Sequence, residues 1–216
     1  VTWRDVVVAI PTMPERSALL DELVRRTVRE CRGAEIVIWR HSPGGDPRSD
    51  FPTLIELALE IDRPLILALE DDVWLAPNFG VQAAIPLQRM AVAPEVGAVS
   101  LFSRSSQDMA MLERGERWRS QPPSSFCMMQ AVLLRASVMR GFGEWAPAWY
   151  EAHPEHRHAA DLLLGAWLSR RRAKMLVHVP SLVQHRAVPS TLPGHRGIRQ
   201  SETYRRVFGP VPGEDR

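Results

Sequence analysis

The chain opens on an unbroken apolar, mostly β-branched run, Val6-Val7-Val8-Ala9-Ile10, punctuated by Pro11, Thr12 and Pro14. A strand shielded on both faces has this pattern, because neither set of alternating side chains meets water. Residues 15–31 then carry helical spacing. Leu19, Leu20, Leu23, Val24 and Val28 share one side, Arg25, Arg26 and Arg29 the other, and Gly33 supplies the stop. Residues 35–39, with Ile36-Val37-Ile38 at their centre, predict a second buried strand. A loop rich in Pro, Gly and Asp over 41–51 leads to a helix over 53–61. Leu65-Ile66-Leu67-Ala68-Leu69 predicts a third strand, and it stops abruptly at Glu70-Asp71-Asp72. Strand–helix–strand–helix–strand alternation builds a parallel sheet with helices on both faces. Ligands of such sheets bind at the carboxyl ends of the strands. Both unusual peptides, residues 11–16 and 70–72, fall at such ends.

The second half is less regular. Residues 79–90 predict a helix interrupted near Pro86, and 96–102 a strand. The polar, basic stretch 103–125 reads as a long loop. Residues 126–134 read as a strand closed off by 137–141. Residues 158–171 predict a helix burying Leu162, Leu163, Leu164, Trp167 and Leu168, and 175–179 a strand before Pro180. From Val188 onward, Pro, Gly and Arg predict a tail wrapping the surface.

Composition narrows the class. The chain has 216 residues, 45% apolar and 24% charged, which suits one globular domain and excludes a coiled coil, a collagen-like rod or a wholly disordered chain. Its apolar runs are about five residues long, against the roughly twenty that cross a bilayer, so no membrane span is expected. Two cysteines, Cys31 and Cys127, read as small buried apolar residues. With no secretory pattern at the start, they favour a cytoplasmic setting. Charge is unevenly spread: residues 1–100 sum to −5 and residues 101–216 to +7. An acidic half beside a basic half is what a metal-binding side facing an anion-binding side would give, though chance patterning gives it too.

Candidate chemistry starts with the acidic triplet. Three adjacent carboxylates repel one another and need a cation, solvent or donors. At a strand end, hard oxygens suit Mg²⁺ or Mn²⁺, which in turn grip a diphosphate. A solvated turn is the plainer reading. After the first strand, Pro11 to Arg16 offers turn amides and an arginine to a nucleotide, or is an ordinary turn. His185, in Val179-Pro180-Ser181-Leu182-Val183-Gln184-His185, could add an imidazole to the same metal or be structural. Asp161 begins an apolar helix, where a carboxylate either caps the helix or accepts a proton from a hydroxyl nucleophile.

The strand-to-"PTMPER" turn, the strand-to-"EDD" triplet, "FCMMQAVLLRAS", "AADLLLGAWL" and "VPSLVQH…PST" follow one another in an order that resembles the GT-A glycosyltransferases. The likeness covers most of residues 5–191. It implies a GT-A, Rossmann-like α/β fold with a mostly parallel central sheet flanked by helices. It further implies a single catalytic domain over residues 1–216. In it, 1–100 would bind the nucleotide-sugar and metal, 101–190 would bind the acceptor, and 191–216 would form the tail. By resemblance, Pro11, Thr12 and Arg16 lie at the nucleotide-sugar. Glu70 or Asp71 meets the ribose or a metal-bound water. Asp72 and His185 bind Mn²⁺ or Mg²⁺, and Asp161 is the base of an inverting transfer from a nucleotide-sugar, UDP by default. Ala160 stands where many members carry a second acid, which leaves the base open. The chain is short for the family, so its acceptor-binding elements are minimal.

Other features carry weaker signals. His153, His156 and His158 have a metal-like spacing in a charged loop. Trp145, Trp149 and Tyr150 stack on a sugar or pack an edge, and Trp118 lies in a candidate mobile loop. A basic stretch (Arg170, Arg171, Arg172, Lys174, Arg186, Arg196, Arg199, Arg205, Arg206) would suit a DNA acceptor such as a hydroxymethylated base, the donor diphosphate, or plain solvent. Two rival readings are a metal-dependent nucleotidyltransferase and a non-catalytic basic nucleic-acid-binding module. The first calls for a glycine-rich loop after the first strand, and residues 11–16 contain no glycine.

Overall fold

The computed structural model describes residues 1–41, 47–126, 129–156, 159–186, 188 and 199–211. Strand β1 (Val6–Thr12) leads through a 3₁₀ turn into helix α1 (Ser17–Glu30), β2 (Glu35–Arg40), α2 (Pro47–Glu60) and β3 (Leu65–Leu69). The alternation read from the sequence is therefore present. Next come β4 (Val73–Leu75), α3 (Phe79–Gln82), α4 (Ala84–Val92), β5 (Val96–Ser100), α5 (Ser106–Glu113) and β6 (Trp118–Gln121). The chain continues with β7 (Ala131–Arg135), α6 (Ala136–Met139), α7 (Phe142–Ala152) and α8 (Ala160–Arg170). It closes with β8 (Lys174–His178), β9 (Val183–His185) and α9 (Glu202–Phe208).

A seven-stranded sheet has the order β2-β1-β3-β7-β5-β8-β6. Strands β1, β2, β3, β5 and β8 run one way; β7 and β6 run against them. The sheet is mostly parallel, as expected. In β1 and β3 the apolar runs are continuous because both faces are covered, whereas β2, expected to be buried, is a half-exposed edge strand with Ile38 at the surface. Val6, Val8, Ile10, Leu65 and Leu67 join Leu20, Leu23, Phe79 and Met90 on one face. Val7, Ala9, Ile66 and Ala68 join Leu54, Ile55, Phe142, Leu163 and Trp167 on the other. Close packing sets the glycine in α8. A Cβ on Gly165 would sit 2.2 Å from the Pro123 carbonyl oxygen, so only glycine lets α8 meet the 3₁₀ turn Pro123–Ser125.

Several expectations need correction. Residues 103–125 are not one long loop but hold α5 and β6. The signal was present: Ser105 accepts from the Gln107 N–H and Asp108 accepts from the Ser105 N–H, a capping box written in Ser105-Ser106-Gln107-Asp108. The predicted strand over 126–134 is shorter, only Ala131–Arg135, and part of it lies outside the described residues. The 79–90 helix breaks at Ala83, three residues before Pro86, which sits in the first turn of α4 where its missing N–H costs nothing. Helix α2 starts at Pro47 rather than 53, so the preceding loop is shorter. Val28 is 59% exposed and Leu162 only half-buried, because the apolar stripes of α1 and α8 are narrower than the spacing implied. Part of the expected surface tail is docked: Ser201, Thr203 and Tyr204 are buried, and the Tyr204 hydroxyl donates to the Leu75 carbonyl. Cys31 is buried as expected, with burial and the charge of Glu30 pushing its thiol pKa up; Cys127 lies outside the described residues. No helix among the described residues is long and apolar enough to cross a membrane.

Candidate active site

Glu70, Asp71 and Asp72 leave the end of β3, in the centre of the sheet, next to the end of β1. Here Thr12 and Arg16 meet them. The Thr12 hydroxyl donates to Asp71 Oδ2 at 2.7 Å, and Arg16 Nη1 donates to Asp71 Oδ1 at 2.8 Å and to Asp72 Oδ2 at 2.7 Å. One guanidinium nitrogen shared by two carboxylates explains how adjacent acids, 4% and 5% exposed, are tolerated. Both oxygens of Asp71 are engaged inside the protein. In this structure Thr12, Arg16 and Asp71 thus fasten the acidic turn, where the sequence pointed them at a nucleotide. Pro11 is half-buried in β1, in register with Trp39 of β2.

A second, two-stranded sheet brings a histidine to the acids. β4 and β9 are antiparallel, with Val73 opposite His185. The Arg186 N–H also donates to the Asp72 carbonyl at 2.8 Å. This pairing puts His185 Nε2 3.4 Å from Asp72 Oδ2. Across β7, Gln130 holds Glu70 twice: its carbonyl accepts from the Glu70 N–H at 3.1 Å, and its amide donates to Glu70 Oε2 at 3.1 Å. Gln130 was not singled out in the sequence, because only the β3–β7 pairing makes it a neighbour of Glu70.

Electrostatics follow from this crowding. Burial, then the charge of Asp72, pushes the Glu70 carboxyl up to about 7. Burial also pulls Asp72 upward, but the hydrogen bond and charge of His185, with Arg16, hold it below the usual carboxylate value. For His185 burial pulls down, and Asp72 more than reverses this, leaving the imidazole above its ordinary value. Glu70, Asp72 and His185 each offer one ligand atom within 4.8 Å of one another. Asp72 Oδ1 and His185 Nδ1 are buried with no hydrogen-bond partner. Two carboxylates and an imidazole, with one buried atom of Asp72 and one of His185 unsatisfied, fit a divalent cation.

Asp161 stands apart from this cluster. It lies in the first turn of α8, half-buried, with Oδ1 accepting from the Leu162 N–H at 2.9 Å. None of the described contacts joins it to the acids. Its end of the molecule is fixed by topology. α8 turns directly into β8, which points the same way as β3, so the start of α8 lies at the end of the sheet where β3 stops.

The weaker candidates resolve toward packing. Trp145 rests on Trp167 at 5.2 Å between centroids, Tyr150 is 4% exposed, and Trp149 stacks on His153 at 4.5 Å. His153 Nδ1 also bonds the Trp149 carbonyl oxygen, and His158 lies outside the described residues. Trp118 is in β6, edge-on to His178, not in a loop. The basic stretch does not form one face. Arg170, Arg171, Arg172 and Lys174 lie at the turn between α8 and β8, the end of the sheet away from the acids. Arg186 is buried, with its guanidinium 3.9 Å from the Trp74 ring and bonded to Glu22. Arg199 lies close enough to lower the Glu70 pKa, and Arg196 is outside the described residues.

His178 makes a pH-dependence that can be measured. Its ring is 1% exposed, its Nδ1–H donates to the Pro180 carbonyl at 2.8 Å, and burial lowers its pKa from 6.5 to about 4. Between those values the unfolded chain binds one proton more than the folded one. This contribution is therefore complete above pH 6.5 and is lost as pH falls toward 4, amounting to about 3 kcal/mol. Urea unfolding from pH 7.5 to 4 is expected to show the decline, and a His178→Asn variant to flatten that part of the curve. An unchanged slope in the variant would assign the acid sensitivity elsewhere.

No family model matches the chain, and no curated protein matches it. Solved structures do. The chain is similar to a glycosyltransferase involved in the glycosylation of the major capsid of PBCV-1, at 13% identity and a TM-score of 0.57, covering 86% of this chain and 94% of that one. It is similar also to the galactosyltransferase LgtC, solved in complex with donor and acceptor sugar analogues, at 12% identity and a TM-score of 0.50, covering 97% and 98%. At these identities the likeness speaks for architecture, and with the sheet order and the acidic turn it establishes that this chain has the GT-A fold of the glycosyltransferases.

Proposed function

We propose that the protein is a metal-dependent glycosyltransferase that moves a sugar from a nucleotide-sugar, UDP-linked by default, to an acceptor hydroxyl with inversion. The observation that carries this reading is the convergence of Glu70, Asp72 and His185 within 4.8 Å at the carboxyl end of a central strand of this fold. Those three residues would hold Mn²⁺ or Mg²⁺, which supplies electrostatic stabilisation to a departing diphosphate. Arg16 holds Asp71 and Asp72 in place, so the ligand carboxylate is set before the donor arrives. Gln130 orients Glu70 in the same way.

Asp161 takes the proton. The acceptor O–H gives its proton to the Asp161 carboxylate as the oxygen bonds to the anomeric carbon. The bond from that carbon to the diphosphate oxygen breaks, and its electron pair leaves with the nucleoside diphosphate. Asp161 lies in the first turn of α8, half-buried, at the end of the sheet where β3 stops. The DNA acceptor loses its main support, since the arginines behind it are scattered between the two ends of the sheet, and Arg186 is buried and paired with Glu22.

Thermal unfolding tests the reading. Nucleotide-sugars with Mn²⁺ at about 100 times Kd are expected to raise Tm by roughly 5–10 °C, and much less with EDTA. Stabilisation by nucleoside triphosphates with Mn²⁺, and by no nucleotide-sugar, would favour the nucleotidyltransferase instead.

A further inference from the structure

Two strands along the sheet from the acidic turn the fold leaves a cavity of about 250 Å³, lined among others by Ser100, Phe102, Arg104, Arg119, Gln121 and Phe126. Its place follows from strand order. Ser100 ends β5, which pairs with β7, and Gln130 just before β7 is bonded to Glu70. Two strand spacings, about 10 Å, therefore separate this cavity from the acids. Phe126 directly follows the 3₁₀ turn on which α8, the helix that carries Asp161, packs.

Charge within the cavity is one-sided. Its described lining contains two arginines and no carboxylate. Arg119 is already balanced, since its Nε donates to Asp108 Oδ1 at 2.7 Å, and Asp108 is fully buried beneath it. Arg119 Nη1 also donates to Gln121 Oε1 at 3.0 Å, and the Gln121 amide donates onward to the Ser125 carbonyl. Those groups form a rigid wall. Arg104 is different: it is exposed and has no ion-pair partner among the described residues. The floor is aromatic, from Phe102 and Phe126. A 250 Å³ space holds one sugar ring and little more. An apolar floor suits the C–H face of a pyranose, and one unbalanced guanidinium suits an anion on it.

We infer that this cavity is the acceptor subsite and takes an anionic pyranose, a uronate or a sugar phosphate, through Arg104. The inference rests on the glycosyl-transfer reading above and adds the acceptor class to it. The test is calorimetric and NMR titration with D-glucuronate, D-glucose 6-phosphate, D-glucose and inorganic phosphate, on the wild type and on Arg104→Glu. At least one of the two anionic sugars is expected to bind the wild type tenfold or more tightly than D-glucose and than inorganic phosphate. Arg104→Glu is expected to lose about tenfold of that affinity. The nucleotide-sugar and Mn²⁺ shift is expected to be equal in both proteins. Equal binding of charged and neutral sugars, an anion preference that ignores Arg104, or inorganic phosphate binding as well as the sugar phosphate overturns the assignment. An Arg104-dependent DNA oligonucleotide affinity, with neither sugar bound, also overturns it. A missing nucleotide-sugar shift beside Arg104-dependent uronate binding would instead keep the subsite and reject the transfer reading.

Discussion

Asp72→Ala is expected to abolish turnover of the donor while the protein remains folded. Asp72 does three things at once. Its Oδ2 meets Arg16 at 2.7 Å and His185 at 3.4 Å, and its Oδ1 is the buried lone pair without a partner. Truncation removes an oxygen of the proposed cation site, and Glu70 and His185 alone would not make a divalent site of useful affinity. Loss of leaving-group stabilisation of this kind costs about 10³-fold or more in kcat. The fold survives because Asp71 still neutralises Arg16 at 2.8 Å, so no buried guanidinium is left without a counter-charge. Calorimetric Mn²⁺ titration, circular dichroism and donor turnover read the three parts separately. Full activity of the variant with Mn²⁺ present would reject the site, and loss of the folded signal would assign Asp72 to stability instead.

The second large effect is expected at Asp161. Asp161→Asn keeps the shape and the hydrogen bond from the Leu162 N–H, but it removes the proton acceptor of the proposed transfer. Transfer should fall about 10²- to 10⁴-fold, the range for losing a positioned general base. Donor binding should persist, because Asp161 touches none of the acids at β3. The kinetic signature is a lower kcat with an unchanged nucleotide-sugar thermal shift. If transfer is unaffected and only Tm moves, Asp161 acts as a first-turn carboxylate of α8 and the base lies elsewhere.

Much of the frame was legible because burial on both faces writes itself as unbroken apolar runs, as in Val6–Ile10 and β3. Periodicity placed α1 and the strand ends, and with them the acids. It failed where local sequence is polar yet tertiary contact decides. β6 is an edge strand made by pairing with β8, and its Trp118 is anchored by His178. α5 is a short helix without a clear apolar stripe, and its capping box is the local signal of where it starts. That Thr12 and Arg16 lie where β1 ends was legible. Their partners were not, because a side chain's reach across a turn leaves no period in the sequence.

By itself the amino-acid order determined the alternation of buried strands and helices and put three carboxylates at a strand terminus, since both depend on neighbours a few positions apart. The tertiary structure alone decided which oxygens remain free for a cation. That choice needed β9 to pair with β4, bringing His185 beside Asp72, and β7 to lie beside β3, bringing Gln130 onto Glu70. Pairing between distant segments is set by the total burial of two faces and not by any local pattern.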